Sequence, residues 1–319
     1  MAASVLITGA GGFAAGHLCA LLAGMPDLTL AGIARHPPQD LPGQPRMLVG
    51  DLRDRAFVFA ALEACRPDVV LHLAAQSSVD ESWRDAAATV VNNVAGQANL
   101  LDAVYQHCPH ARVLVVGSAD EYGLVRPDEV PVDEQQPLRP NNPYAISKVA
   151  QDMQALQYGL GRGLAVVRVR PFNHTGPGQR ADFVASAFAR QVASVEAGLQ
   201  PPVVRVGNLD AQRDFTDVRD TVRAHWLAAT QGTPGDVYNI ASGRATSVRS
   251  LLDSLINLAR VDVRVEVDST RLRPSDVPIL LGSAAKLTRE TGWTPTIPLE
   301  RTLSDLLDYW RDDISRRSQ

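Results

Sequence analysis

The chain has 319 residues, of which 45% are hydrophobic and 21% charged, and its formal net charge is −4. It is long enough for two domains, and this charge excludes the basic surface expected of a nucleic-acid-binding protein. No apolar run approaches the ~20 residues of a membrane span, and three cysteines without paired spacing favour the reducing cytoplasm over a zinc site or a disulfide framework.

A glycine-rich turn follows the first predicted strand. Residues 4–8 are typical of a buried parallel strand, and a helix is expected at residues 16–23 after the turn. Glycines between a strand and a helix let backbone N–H groups approach a pyrophosphate at the helix N-terminus. The pattern therefore predicts a dinucleotide site, and the residues expected to contact the cofactor are Gly9, Gly11, Gly12, Phe13 and Ala14.

The next two predicted strands, residues 28–34 and 47–49, bear on the choice of cofactor. NAD sites place an Asp or Glu about 20 positions past the glycines, but here the strand ends in Ala34 and Arg35 without an acid. Because a guanidinium suits a 2′-phosphate, we expect NADP. The alternative is that Arg35 is merely solvated and that both cofactors are accepted. Asp51 and Leu52 are expected beside the adenine.

Small residues follow the fourth predicted strand, residues 68–73, which comes after a helix at 56–65. Such residues at a strand end allow the backbone to pass close to a ligand. The predicted cofactor contacts here are Leu73, Ala74 and Ala75, and the predicted substrate contacts are Ser77 and Ser78. Asn93, in a long helix expected at 86–107, is either a surface amide or a support for the active site.

The fifth predicted strand, residues 112–117, brings Ser118, Asp120 and Glu121 to the carboxyl edge of the sheet. Ligands of open parallel sheets bind at this edge, so Ser118 is expected to orient a substrate carbonyl. The two acids are equally compatible with an acid/base role and with a solvated loop.

A tyrosine and a lysine share one face of the next helix. Asn142 suits the cap and Pro143 the first position, which places Tyr144 and Lys148 one turn apart. Lysine is rare here, since only Lys148 and Lys286 occur among 31 basic residues. Proton transfer by Tyr144 near neutral pH needs a phenol pKa roughly three units below its free value, and we expect the ammonium and the helix end both to lower it. Both residues are also predicted cofactor contacts.

The glycine turn, Asp51, Ser118 and the Tyr144–Lys148 pair together resemble the extended short-chain dehydrogenase/reductase family over nearly the whole chain. The resemblance implies an α/β fold, a Rossmann-type doubly wound parallel sheet with a smaller C-terminal substrate domain. The implied dinucleotide-binding domain comprises residues 1–171 and 217–242, and the sugar-nucleotide domain comprises 172–216 and 243–319. A homodimer through the helices at 86–107 and 144–160 is also implied.

Three later segments resemble one particular group of enzymes within this family. Residues 171–179, 213–218 and 271–278 look like segments of the GDP-4-keto-6-deoxy-mannose reductases and their sister GDP-mannose 4,6-dehydratases. The first segment offers two polar anchors to the substrate, Asn173 and His174, and no second metal ligand stands near His174 in the sequence. From the resemblance, the remaining substrate contacts are Arg213 for the diphosphate, Arg273 for the nucleotide and Asp276 for the ribose hydroxyls.

Further elements are expected in the C-terminal half. Strands are predicted at residues 164–170, 203–206 and 237–241, and helices at 181–197, 217–230, 248–259 and 299–311. The helix at 248–259 is amphipathic, and its Leu251, Leu255 and Leu258 are expected in the core.

The choice of reaction depends on the strand end at Ser118. The dehydratases usually carry Thr-x-Glu there, whereas this chain has Ser118-Ala119-Asp120, and Phe215 stands where they usually have Trp. This favours a reductase that transfers hydride from NAD(P)H to the C4 ketone of GDP-4-keto-6-deoxy-D-mannose, giving GDP-D-rhamnose or a related GDP-6-deoxyhexose. The alternatives are a dehydratase or epimerase of nucleotide sugars, with Asp120 as base, and a dinucleotide-sensing regulator, which would not need Ser118, Tyr144 and Lys148.

Overall fold

A computed structural model describes residues 3–36, 40–271 and 277–317 of the chain. Its strands are β1 (Ala3–Thr8), β2 (Leu28–Ala34), β3 (Arg46–Val49), β4 (Val69–His72), β5 (Arg112–Val116), β6 (Ala165–Pro171), β7 (Asn173–Thr175), β8 (Val203–Val206), β9 (Gln212–Asp217), β10 (Val237–Ile240), β11 (Ala245–Ser247), β12 (Arg264–Val267) and β13 (Ile279–Leu280). Its α-helices are α1 (Phe13–Ala23), α2 (Arg55–Cys65), α3 (Val79–Arg84), α4 (Ala86–Val90), α5 (Gly96–His107), α6 (Pro143–Arg162), α7 (Val184–Glu196), α8 (Val218–Gln231), α9 (Val248–Asn257), α10 (Ala285–Thr291) and α11 (Leu299–Arg317).

Seven parallel strands form the main sheet, in the order β3-β2-β1-β4-β5-β6-β10. Successive side chains of β1 point to opposite faces. Val5 and Ile7 pack with α1 and α8, while Leu6 packs with α2, α5 and α6 on the other face. The predicted doubly wound α/β sheet is therefore confirmed. Its strands all end at one edge, where the candidate site residues gather.

Two smaller sheets and a second helical core lie outside the main sheet. Strands β7, β9, β11 and β13 form one sheet, β8 pairs with β12, and α7, α9 and α11 pack into a separate core with β8 and β9. The chain leaves the main sheet after β6 and returns to it with α8 and β10. The exact division into two domains stays a prediction. In the described part of the chain, no helix has the length and apolarity needed to cross a bilayer.

Several predicted boundaries differ from the structure. Helix α1 begins at Phe13, directly after the glycines, instead of at residue 16. The helix predicted at 86–107 contains a π-helical turn, Val91–Ala95, between α4 and α5. Helix α9 ends at Asn257, so the prediction that Leu258 lies in the core is wrong, and 39% of this residue is exposed. Helix α7 begins only at Val184, and α11 continues beyond the predicted end at 311.

Candidate active site

The glycine turn after β1 lies tightly against the end of β4. Gly9 has a φ of +71°, and a Cβ added to it would stand 2.8 Å from the backbone N and Cα of Ala74. Ala10 N–H donates to the Ile33 carbonyl at 3.1 Å, which ties the turn to β2. Gly12 caps α1 without a side-chain hydrogen bond, and the first turn contains no acid. The turn and the helix end thus have the form that receives a pyrophosphate.

The other residues predicted around the cofactor lie along the same edge. Gly11 and Gly12 are exposed, and Phe13, Ala14, Leu52, Leu73 and Ala75 are half-buried. Arg35 is exposed directly after β2. Arg53 Nε and Nη2 donate to the Asp51 carboxylate at 3.0 and 2.6 Å, and these bonds, with Arg35 as a weaker contributor, lower the pKa of Asp51. Asp51 is therefore held as an anion beside two cations.

Ser118 and Tyr144 meet at the carboxyl end of β5. Asn142 Oδ1 accepts the N–H of Ala145 at 2.8 Å and Pro143 opens α6, as the sequence predicts, which sets Tyr144 in the first turn. The Ser118 side chain lies close enough to the Tyr144 phenol to lower its pKa by hydrogen bonding. Lys148 Nζ lies 6.0 Å from the centre of the Tyr144 ring and donates to the Val116 carbonyl at 2.8 Å.

The pKa of Tyr144 differs from the value that the sequence leads us to expect. Burial and the nearby Asp120 raise the pKa of Tyr144 well above its ordinary value, although the bond with Ser118 acts in the opposite direction. The expected lowering of the phenol pKa in the chain alone is therefore wrong, because the cost of burying a phenolate outweighs the helix end. Burial also lowers the pKa of Lys148 to about 8, against an opposing effect of Glu121.

The two acids after Ser118 have different surroundings. Asp120 is half-buried and close enough to the Tyr144 phenol to raise the pKa of that phenol, so it lies beside Tyr144 in the candidate active site. Glu121 is fully buried, and its two oxygens accept from Ser118 N–H at 2.8 Å and Arg170 Nε at 3.0 Å. Neither interpretation of Glu121, as a solvated loop residue or as an acid/base group open to substrate, matches these contacts.

Asn93 supports the loop that follows β4. It is 1% exposed, so the alternative of a surface amide is wrong. Its Oδ1 accepts from Gln76 N–H at 2.7 Å, while its Nδ2 donates to the Gln76 carbonyl at 3.1 Å and to Ser147 Oγ at 2.9 Å. Ser147 Oγ in turn donates to the Tyr144 carbonyl at 2.7 Å. The π-helical turn thereby connects the loop to the first turn of α6.

The two predicted substrate serines of this loop have different surroundings. Ser77 is exposed, whereas the Ser78 hydroxyl caps α3 by accepting from Glu81 N–H at 3.2 Å.

Sequence reasoning missed a buried histidine behind the glycine turn. His72 Nδ1 and Thr8 Oγ1 are hydrogen-bonded at 2.7 Å, and Ala74 N–H donates to the same hydroxyl at 3.3 Å. Burial, together with the Lys148 charge, lowers the pKa of His72 to about 3, so the ring is neutral. A histidine in the last position of a buried strand, at the ligand edge, was the available signal.

The residues assigned to the substrate through the resemblance are dispersed. Asn173 is exposed on β7. The His174 ring stacks on Phe13, the first residue of α1, with 6.1 Å between ring centres, so its ring contact is with a predicted cofactor residue. Arg213 Nη1 donates to the Val277 carbonyl at 2.7 Å. Arg273 and Asp276 lie outside the described residues. Within residues 3–36, 40–271 and 277–317, no group of three or more His, Cys, Asp or Glu is arranged to hold a metal ion.

Comparison with known proteins gives consistent matches. The family model described as GDP-mannose 4,6 dehydratase matches residues 6–306. GDP-6-deoxy-D-mannose reductase of Pseudomonas aeruginosa is 38% identical over 248 residues, which are 78% of this chain and 82% of that protein. GDP-mannose 4,6 dehydratase 1 of Arabidopsis thaliana is 32% identical, covering 81% of this chain and 72% of that protein.

Solved structures agree with the chain over nearly its whole length. The structure of RMD from Pseudomonas aeruginosa complexed with NADPH has a TM-score of 0.86 at 34% identity and covers 98% of this chain and 99% of that one. UDP-glucose 4-epimerase from Thermus thermophilus in complex with NAD has a TM-score of 0.87 at 28% identity and covers 97% and 99%.

Proposed function

The chain belongs to the GDP-mannose 4,6-dehydratase family, and from this premise we propose that it is a nucleotide-sugar reductase dependent on NAD(P)H. The substrate is GDP-4-keto-6-deoxy-D-mannose, whose C4 ketone becomes the alcohol of GDP-D-rhamnose or a related GDP-6-deoxyhexose. The observation that carries this proposal is a buried phenol, Tyr144, which lies beside Ser118 and has Lys148 Nζ 6.0 Å from its ring centre. A protonated phenol is the form that donates to a carbonyl undergoing reduction.

Three side chains have separate roles in this reaction. The Ser118 hydroxyl binds the substrate carbonyl oxygen, and the Tyr144 phenol transfers its proton to that oxygen. A reduced nicotinamide, held with its pyrophosphate at the glycine turn, would supply the hydride for C4. The proton and the hydride together convert C=O to CH–OH, which leaves a phenolate on Tyr144. Lys148 places a cation near that phenolate, since its Nζ lies 6.0 Å from the ring centre. The Lys148 ammonium therefore favours the charge that forms during the reaction rather than one present beforehand.

The residues present fit a dinucleotide that carries a 2′-phosphate. Gly9 leaves no room for a Cβ beside Ala74, so the turn packs closely against β4, and the N-terminus of α1 has no side-chain cap that would compete with a pyrophosphate. Arg35 is exposed at the end of β2, and Asp51, the nearby acid, is already held by Arg53. These features support NADPH as the preferred cofactor. Arg35→Asp reverses the charge at this position and should weaken the binding of NADPH more than that of NADH. The ratio of the two dissociation constants measures this difference.

The reaction is tested with purified protein and two substrates. We expect NADPH to be consumed when GDP-4-keto-6-deoxy-D-mannose is added, with equal formation of a GDP-6-deoxyhexose. GDP-mannose without added reductant should remain unchanged. If GDP-mannose instead yields the 4-keto sugar, the protein is a dehydratase, and Asp120, next to Tyr144, is then the candidate base. Binding of NADPH without turnover of either sugar would favour a regulator.

A second copy of the chain is proposed to cover the outer faces of α5 and α6. Apolar side chains are exposed there, with 41% of Tyr105, 41% of Met153 and 80% of Leu160 accessible. The Arg162 guanidinium lies 4.8 Å from the Tyr105 ring centre, which joins the two helices into one surface. Leu160→Glu should convert a dimer to a monomer in light scattering. Leu199→Glu, at another exposed leucine, should not change the mass. A monomeric parent protein would contradict the proposal.

The cytoplasm is the proposed location. Cys19, Cys65 and Cys108 are unpaired, which supports a reducing compartment.

A further inference from the structure

Four charged side chains lie inside the protein behind the strand end that carries Ser118. Arg170 Nε donates to Glu121 Oε2 at 3.0 Å and to Asp152 Oδ2 at 2.9 Å, and Arg168 also pairs with Asp152. The side chains are between 0 and 8% exposed. Two acids and two arginines balance one another, so most of this cluster has the form of a buried structural ion network.

Glu121 differs from the other three because it also holds the active-site backbone. Its Oε1 accepts the N–H of Ser118 at 2.8 Å, while Ser118 Oγ accepts the N–H of Asp120 at 3.1 Å. The carboxylate reaches this position by folding back beneath the strand end, where Gly117 leaves space, and a Cβ at Gly117 would collide with Oε1. The reciprocal bonds fix the backbone from which the Ser118 hydroxyl projects.

Glu121 also acts on Lys148 through its charge. Burial lowers the pKa of Lys148 to about 8, and Glu121 is the carboxylate that raises it. In the other direction, burial and the Asp152 charge raise the pKa of Glu121 well above its ordinary value, although Arg170, Ser118 N–H and Lys148 act to lower it. Both carboxylate oxygens accept from donors, an N–H and a guanidinium, which is the pattern of an ionised group. Lys148 Nζ donates to the Val116 carbonyl at 2.8 Å, and Glu121 Oε1 accepts the N–H of Ser118 two residues later, so the amine and the carboxylate lie at the same strand end.

We propose that Glu121 is a positioning residue of the active site, which fixes the Ser118 backbone and supplies the buried negative charge that keeps Lys148 protonated. The inference rests on the proposed function only in assigning the chemistry to Ser118, Tyr144 and Lys148. A neutral Lys148 could not stabilise a phenolate on Tyr144. Removing the Glu121 charge should therefore confine activity to a lower range of pH, beyond any general loss of rate.

The test uses the scarcity of lysine in this chain. With lysine labelled in its side chain, NMR reports just two ε-amines, Lys148 and Lys286, and Lys286 serves as an internal reference because it pairs with Asp236 at 3.0 Å. In Glu121→Gln we expect the titration midpoint of Lys148 to fall by about one pH unit or more, and that of Lys286 to stay unchanged. The alkaline limb of kcat/KM for NADPH oxidation should move by the same amount.

Asp152→Asn is the matched control. It removes a carboxylate from the same buried cluster, but Asp152 bonds Arg168 and Arg170 and makes no bond to Ser118. We expect lower stability without a comparable shift of the Lys148 titration. If Glu121→Gln does not fold, Glu121→Asp keeps the charge and shortens the reach to Ser118, so turnover should fall while the Lys148 midpoint stays near that of the parent protein.

Two results would overturn the inference. One is an unchanged Lys148 midpoint in Glu121→Gln, and the other is an equal shift in Asp152→Asn, which would make the effect a general consequence of disturbing the cluster. A Lys148 titration midpoint that falls in Glu121→Asp, although the charge is retained, would also contradict the inference. Because the NMR titration needs no turnover, a protein without reductase activity would refute the proposed function and leave this inference standing.

Discussion

Substituting Gly9 by alanine perturbs the close contact between the glycine turn and the end of β4. A Cβ at residue 9 would stand 2.8 Å from both N and Cα of Ala74 and 3.2 Å from the Leu73 carbonyl carbon. All three atoms belong to the backbone, so no side-chain rotation relieves the overlap. Either the turn or the Leu73–Ala74 segment must move, and both segments carry predicted cofactor contacts.

The expected cost has two parts. Gly9 has a φ of +71°, and an L-residue in this left-handed region costs about 1–2 kcal/mol. Insertion of a methyl group into a closely packed contact costs about 1–3 kcal/mol more. We therefore expect Gly9→Ala to lower the free energy of unfolding by about 2–5 kcal/mol, a large part of the stability of an ordinary domain.

Urea unfolding and NADPH titration measure the two consequences. Gly16→Ala is the control for stability, because Gly16 lies inside α1 and a Cβ there meets nothing within 4 Å. That variant should be neutral or more stable by up to about 1 kcal/mol. Gly9→Ala should also bind NADPH more weakly. A Gly9→Ala variant with an unfolding free energy within about 0.5 kcal/mol of the parent protein and the same dissociation constant for NADPH would show that residue 9 has room for a side chain.

Two further outcomes follow from the buried hydroxyl and the buried histidines. Tyr144→Phe removes the proton donor, so kcat should fall by about 10²–10⁴-fold with an unchanged dissociation constant for NADPH, and near-full turnover would contradict the proton path. His225 is 1% exposed, and neither ring nitrogen has a hydrogen-bond partner among the described residues. Burial lowers the pKa of His225 from 6.5 to about 3, as it does for His72. The unfolded chain therefore binds more protons below pH 6.5, and each ring should cost about 2 kcal/mol of unfolding free energy at pH 5 relative to pH 8. In urea unfolding, His225→Leu should lose about 2 kcal/mol less unfolding free energy between pH 8 and pH 5 than the parent protein. An unchanged pH dependence would show that the ring is not held neutral.

Short-range features of the site could be predicted because they depend on neighbouring residues. Asn142 and Pro143 define the start of α6, and a spacing of four places Tyr144 and Lys148 on one face of any helix. The glycines after β1 and the residues after β5 reach one edge because all strands of the main sheet are parallel. The sheet, the approximate bounds of its strands and the meeting of Ser118 with Tyr144 follow from such local rules.

The charge states of the same residues were decided by contacts between distant parts of the chain. Glu121 and Arg170 are 49 positions apart, and their bond buries a carboxylate that its neighbours in the sequence would leave in a loop. Asn93 finds Gln76 and Ser147 only because a π-helical turn faces both. The spacing of Tyr144 and Lys148 predicts an acidic phenol, yet burial raises its pKa. Sequence spacing thus determined which groups share a face, and the tertiary structure alone decided their protonation, because desolvation depends on everything packed around a group.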